Sequence, residues 1–336
     1  MKLTRKVRLT DVCDSRDNNF NLLRFGAALA VFVSHCPPIA GLEVVSLTRL
    51  LGYVGVNAFF AMSGFLVAKS LFTRNNMRHF LGSRVLRIYP ALIVAVLYTV
   101  LGVGLIFTSL ESREFLLHAQ TLDYLFKNTL QLIWPIPVTL PGLGWEKVNS
   151  PLWTLPFELH MYLLLALFGG LALYLGGGLA RIVWSVYFLA VASATLLYFA
   201  DYAWGLEGYG LGHDRYYLRF LSMFGIGVAL YLVRERVVLD TRYFLAILVL
   251  IALSSPLRPL FVFAAYGSLA YVLLYLAYVP AGILRGFNRL GDYSYGIYIF
   301  GYPTQKAVMQ LLPQINVFQL FAISFLLTLT LAVASW

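Results

Sequence analysis

The feature that most limits what this chain can fold into is a succession of apolar segments, most of them close to 20 residues long, joined by short polar or basic links. About ten can be marked, near 20–38, 50–72, 86–109, 152–175, 180–199, 216–233, 242–255, 258–279, 291–311 and 316–336. In hydrocarbon every backbone N–H and C=O must be satisfied within the protein, so such segments become helices. The expectation is an all-α polytopic membrane protein of about ten transmembrane helices, forming a single integral-membrane domain over residues 1–336. Only 12% of the residues are charged, about half the share of a soluble globular chain. The longest polar stretches are too short for an independent soluble core.

The net charge of +10 resides at the ends of the apolar segments, which argues for membrane lipids and against nucleic acid as partner. With the N-terminus placed inside, sixteen Lys and Arg residues fall on that side against six on the other. This bias predicts both termini cytoplasmic, an N-terminal cytoplasmic segment over 1–19 and an outer loop over 110–151. No cleavable signal peptide is expected. Trp134, Pro135, Pro137, Pro141, Gly142 and Trp145 predict short interfacial helices and a bent aromatic lid in the outer loop. The glycine-rich stretch 168–179 predicts a tight turn, and Pro151 a first helical turn capped by Ser150. Cys13 and Cys36 are not expected to form a disulfide, and neither has metal-ligand company, so no metal is expected.

Within this apolar frame the ionisable residues carry the chemistry. Arg24 and His35 are eleven residues apart in the first segment, about three helical turns, so they share a face and lie roughly 16 Å apart. Arg84 and Arg87 share a face of the third segment at i, i+3. Arg24, Arg84 and Arg87 together make a candidate anion site at the inner face, suited to a nucleotide-like or pyrophosphate-bearing donor. Topology-setting and headgroup contacts are the other reading of these arginines. No P-loop or Rossmann glycine pattern accompanies them. Glu158 enters from the outside at a depth similar to that of His35, and the two make a candidate general-base pair. A structural partnership with Lys306 or Arg219 is the alternative for Glu158, and His160 reads as structural. Ser63 and Gly64 suit close helix packing or ligand approach. Asp292 reads first as a helix cap, and Tyr295, Tyr298, Tyr302 and Lys306 as a stripe that packs or lines a polar cavity.

Five segments in order resemble the acyltransferase-3 family of integral-membrane O-acyltransferases. Arg24 and His35 are similar to its arginine–ten residues–histidine signature, and Phe59–Leu66 (FFAMSGFL) to its second-helix element. Arg84–Pro90 (RVLRIYP), Pro151–Tyr162 (PLWTLPFELHMY) and Gly291–Tyr298 (GDYSYGIY) resemble three further elements. Two departures stand out. Ile299–Pro303 lacks a histidine that many members carry near that point, so no role resting on it carries over. The chain ends at Ser335-Trp336 where many members continue into a Glu-x-Pro segment, which predicts a shortened chain or a shorter relative.

The resemblance implies transfer of an acetyl or other short acyl group from cytoplasmic acyl-CoA to a hydroxyl of an exopolysaccharide, O-antigen or lipid-linked glycan at the outer face of the inner (plasma) membrane. It implies acetyl-CoA as donor, a glycan or lipid-linked oligosaccharide as acceptor, His35 and Glu158 as catalytic residues, and Arg24, Arg84 and Arg87 as donor-binding residues. Ser63, Trp153 and Tyr295, each within a matched element, become substrate-binding candidates. Two rival readings stand beside it. One is a transporter or flippase for a lipid-linked sugar, against which no inverted halves or paired broken helices are visible. The other is a non-catalytic assembly subunit, which leaves Arg24 and His35 on one face unexplained.

Overall fold

A computed structural model describes residues 6–43, 45–74, 76–204 and 214–336, with the side chains of 202–204 and of residue 258 left out. Lys2, Arg5 and the side chain of Arg258, all counted in the charge bias, therefore lie outside the described residues. Helices dominate, and ten long ones occupy the ten expected segments among the described residues: α1 (Phe20–Ile39), α2 (Ser46–Arg74), α3 (Met77–Phe107), α4 (Ser150–Leu175), α5 (Gly177–Trp204), α6 (Asp214–Leu232), α7 (Thr241–Ser254), α8 (Arg258–Tyr278), α9 (Ser294–Leu311) and α10 (Val317–Ala334). Seven of them, all but α6, α7 and α9, are long and apolar enough to cross a membrane. The 14 residues of α7 span only about 21 Å, short of a hydrocarbon core of about 30 Å. Polar side chains such as Asp214, Arg215 and Arg219 on α6, and Gln305 and Lys306 on α9, lower the hydropathy of those two.

The helices divide into two compact units. The first comprises Met1–Leu23, Asn57–Phe80 and Met161–Gly291. It contains the only sheet among the described residues, in which β1 (Lys6–Arg8) pairs antiparallel with β2 (Val238–Asp240), Val7 opposite Leu239. The basic N-terminal segment thus contributes a strand that pairs far along the chain. Leu9 and Cys13 are buried, the Tyr278 hydroxyl donates to the Cys13 carbonyl at 3.1 Å, and the Asn19 amide donates to the Leu276 and Pro280 carbonyls. Burial, reinforced by the neighbouring charge of Asp14, pushes the Cys13 thiol up. Cys13 and Cys36 are both free.

Gly64 allows the close helix packing expected of it. A Cβ built on it would lie 2.0 Å from the Phe224 carbonyl oxygen, and one on Gly227 would lie 2.3 Å from the Ala61 carbonyl oxygen. The backbones of α2 and α6 therefore touch, as small residues allow in membrane helices. The turn expected over 168–179 is confined to Gly176 and Gly177, both at positive φ. Gly169 and Gly170 stay inside α4, where they leave room for the side chains of Leu71 and Met77.

The second unit comprises Arg24–Val56, Leu81–His160 and Asp292–Trp336. Its centre is α9, buried at Ser294, Gly296–Gly301, Pro303–Gln305 and Val308. α9 packs closest on α10, where a Cβ on Gly296 would meet Ala332 at 2.6 Å. α10 begins with a reciprocal cap: Asn316 accepts from the Gln319 amide, and the Gln319 side chain accepts from the Asn316 amide. α3 carries a π-turn over Tyr98–Gly104, a form that occurs as single-turn bulges and is frequent at functional sites. The 110–151 connection holds the expected short helices, Ser112–Leu117 and Ala119–Leu130.

The Gly64 contact predicts a stability difference within one residue type. Gly64→Ala should lower stability by about 1–3 kcal/mol, read as a lower thermal midpoint in detergent. Gly82→Ala, at a helical position with nothing within 4 Å of the added carbon, should leave it unchanged.

Candidate functional site

Two clusters of polar side chains lie on the α1–α9 side of the second unit. The first gathers at the start of α9. Asp292 precedes the helix, and its Oδ1 accepts from the Ser294 amide at 3.3 Å and the Ser294 hydroxyl at 2.5 Å. This is the capping role expected of it. Its other oxygen has a second role that the sequence reading did not assign: Oδ2 accepts from Nη1 of Arg24 at 2.6 Å, while Nη2 of Arg87 stands 3.9 Å away. Arg24 is 6% exposed, so this is a nearly buried ion pair. The Tyr295 hydroxyl donates to the Ile88 carbonyl at 3.1 Å and ties α9 to α3 one residue beyond Arg87. Arg87, Asp292 and Tyr295 line a cavity of about 350 Å³, with Pro90, Gly296 and Trp336 among its other walls.

Arg24 and Arg87 are thus brought together, and a carboxylate does it. Arg84, their sequence-predicted companion, lies against the hydroxyl of Ser83 at 3.4 Å and does not line this cavity.

The second cluster surrounds His35, three turns along α1 from Arg24. The His35 ring stands edge-on to Tyr302, centroids 5.0 Å apart, and Lys147 is its charged neighbour. Glu146 is the charged neighbour of both Tyr302 and Lys306. The ammonium of Lys306 sits 5.0 Å from the centroid of Trp145, a cation–π distance. Among the described residues Tyr302 is the ring partner of His35 and Lys147 a charged neighbour, and no hydrogen bond or ion pair joins His35 to Glu158. Glu158 lies half-buried in α4, one turn beyond its opening stretch Ser150–Thr154. His160 Nε2 is 3.1 Å from the Leu132 carbonyl oxygen, in keeping with a structural part.

One backbone defect fixes the geometry between the clusters. Pro303 sits inside α9 and has no N–H, so the carbonyl four residues earlier loses its helical donor. That carbonyl, Ile299, accepts from the side-chain amide of buried Asn149 at 2.8 Å. The turn Ser150–Thr154 opens α4, and its cap position is held by Asn149, not Ser150 as expected, with no side-chain capping bond. The Asn149 side chain is engaged with α9 instead. Beside it Thr154 and Tyr298 share a hydrogen bond of 2.7 Å, and Gln305 donates to the Phe32 carbonyl at 2.9 Å, fastening α9 to α1. Tyr98, in the π-turn, bonds Thr304 at 3.1 Å.

The remaining candidates separate. Trp153 joins an aromatic cluster with Trp134 and Phe157, centroids 5.8 Å from each. Ser63 is buried on α2 in the first unit. Sequence reasoning missed Asn149 and Glu146–Lys147 as site residues. Pro303 was the available signal for Asn149, because a proline inside a helix announces an unmet carbonyl four residues back.

The arrangement offers a cationic mouth with a cavity at one end of the α1–α9 pair and an imidazole with a phenol and an ammonium at the other. Comparison with known proteins gives it a context. The family model described as an acyltransferase domain matches residues 17–336. The chain is similar to an O-acetyl transferase of Shigella phage Sf6, 26% identical over 318 residues, which covers 88% of this chain and 87% of that protein. It is also similar to Nodulation protein 10 of Rhizobium leguminosarum bv. viciae, 35% identical over 166 residues, or 44% of this chain and 43% of that one. No solved structure matches the chain significantly.

Removing one partner of a nearly buried ion pair strands the other. Asp292→Ala should therefore cost about 3–5 kcal/mol of stability, whereas replacing the pair together (Arg24→Met with Asp292→Leu) should recover most of it. Thermal unfolding in detergent reads both. A loss under about 1 kcal/mol in the single variant, the scale of an exposed ion pair, would contradict the burial of this one.

Proposed function

The chain belongs to the acyltransferase-3 family, and from that premise we propose that it takes an acetyl or other short acyl group from acyl-CoA on the cytoplasmic side and esterifies a hydroxyl of an exported or lipid-linked glycan at the outer face of the inner membrane. The membrane O-acyltransferase class rests on the family and on the likeness to an O-acetyl transferase. The donor, acceptor and sidedness are our reading. One observation carries it: Arg24, joined through Asp292 to the cavity that Arg87 lines, and His35 leave the same helix, α1, roughly 16 Å apart by helical rise. That separation suits a donor whose phosphates and reactive thioester are joined by a long arm.

In this reading the guanidinium group of Arg87 faces the negative charge of the donor phosphates, with Arg24 behind it on Asp292. His35 takes the proton of the acceptor hydroxyl as its oxygen attacks the thioester carbonyl carbon. The C–O bond forms, the tetrahedral oxyanion collapses, and the C–S bond breaks. The imidazolium returns the proton to the departing thiolate, so the products are the O-acyl ester and free CoA thiol. Lys147, a charged neighbour of His35, supplies positive potential on the side of the developing oxyanion. Glu158 remains a candidate partner for the imidazolium within this scheme, and Trp153 and Ser63 remain candidates for the acceptor side. Covalent passage of the acyl group through the enzyme is the variant route. It predicts a labelled protein after incubation with labelled acetyl-CoA alone.

The test is release of CoA thiol from acetyl-CoA by the purified protein, with lipid-linked glycan as acceptor. Wild type should release thiol only when acceptor is present, and His35→Ala should lower the rate by about 10²–10⁴-fold, the usual worth of a general base. Equal rates would remove His35 as the base. Absence of both release and acetyl-CoA binding in folded protein would favour transport of a lipid-linked sugar instead.

A further inference from the structure

Three arginines were candidates for one anion, and their surroundings differ. Arg24 is buried, and Asp292 Oδ2 accepts from it at 2.6 Å. Asp292 is itself fixed, because its other oxygen accepts two hydrogen bonds from Ser294. Arg87 stands 3.9 Å from the same Oδ2, too far for a hydrogen bond, and its side chain is 32% exposed. Among the described residues its N–H groups have no acceptor, and of the three arginines it alone lines the cavity. The amide at the start of α9, which would otherwise attract an anion, is already taken by Asp292.

We infer that Asp292 is a positioning residue: it locks Arg24 in place and by its charge holds the Arg87 guanidinium at the cavity, so that Arg87 is the arginine that grips a donor phosphate. The inference rests on the acyl-CoA reading of this site and deepens it. Two guanidinium groups around one carboxylate leave a net positive charge, so the cavity attracts a phosphate. Arg87 keeps its planar set of donors unused for that phosphate. Arg24 acts on the donor only through Asp292. Its buried Nε has no hydrogen-bond partner among the described residues, and its outer nitrogen is engaged with the carboxylate.

The experiment is a double-mutant cycle on CoA binding by the full-length purified protein. It uses wild type, Arg87→Ala, Asp292→Asn and the double variant, with donor KM and kcat measured alongside. Arg87→Ala should weaken CoA binding about ten- to hundredfold, as loss of a charge-assisted bond does. Asp292→Asn, which keeps an acceptor for Arg24 but not the charge that draws Arg87, should weaken it about tenfold. That loss should appear in donor KM more than in kcat, and Asp292→Glu should restore it. In the Arg87→Ala background Asp292→Asn should add nothing further, because Asp292 acts through Arg87. Additive losses, tighter binding by Asp292→Asn, or an unchanged Kd with only less folded protein would each overturn the assignment. Should Asp292→Asn fail to fold, Asp292→Ser, which also removes the charge and can still cap α9, takes its place in the cycle with Arg87→Ala. Folded wild type that binds no CoA would overturn the donor reading and this inference with it. Wild type that binds while the cycle fails would overturn the inference alone.

Discussion

A helix that carries serine, tyrosine, threonine, glutamine and lysine through the core of an apolar unit depends on finding a partner for its buried polar groups. That constraint organises the second unit around α9. Asp292 caps its start and ties down Arg24. Tyr295 reaches the α3 backbone, Tyr298 meets Thr154, Thr304 meets Tyr98 and Gln305 holds α1. The gap left by Pro303 is filled by Asn149. Each bond is worth about 1 kcal/mol net, but leaving its buried partner unmade would cost more. The helix therefore has one satisfied position, and the side chains it presents to the cavity and to His35 are held by that position.

The two clusters follow from the same geometry. Arg24 and His35 leave α1 on one face, three turns apart. Asp292 and Tyr302 leave α9 where they meet those two residues. Two polar clusters thus lie where α1 meets α9, with α3 adding Arg87 to one and the 110–151 connection adding Lys147, Glu146 and Trp145 to the other. Helices rather than mobile side chains set the spacing of the two clusters. The first unit supplies a different kind of rigidity, in which α2 and α6 touch backbone to backbone at Gly64 and Gly227.

Much of this was legible in the sequence. The ten helical segments were visible because an apolar run of about 20 residues has few alternatives to a helix. The shared face of Arg24 and His35 followed from spacing alone. What was hidden depended on pairs distant in the chain. Asp292 and Arg24 are 268 residues apart, and nothing local distinguishes a capping carboxylate from one that also holds a buried arginine. Glu158 was matched to His35 by depth, and depth does not fix rotation about a helix, so the ring contact with Tyr302 could not be read from spacing. Ser150 looked like a cap because serine favours that place, but the unmet carbonyl at Ile299 drew in Asn149. The N-terminal strand was hidden because its partner, Val238–Asp240, is short and lies far along the chain.

The central claim is that one donor molecule lies along α1 and α9 with its phosphates at Arg87 and its acyl carbon at His35. An experimental structure of the full-length protein with a non-hydrolysable acetyl-CoA analogue tests it most directly. The account predicts phosphate density within hydrogen-bonding distance of the Arg87 guanidinium, Asp292 still bonded to Arg24, and the acyl carbonyl beside the His35 imidazole. An analogue bound with its phosphates away from Arg87, or with its acyl group remote from His35, would contradict it.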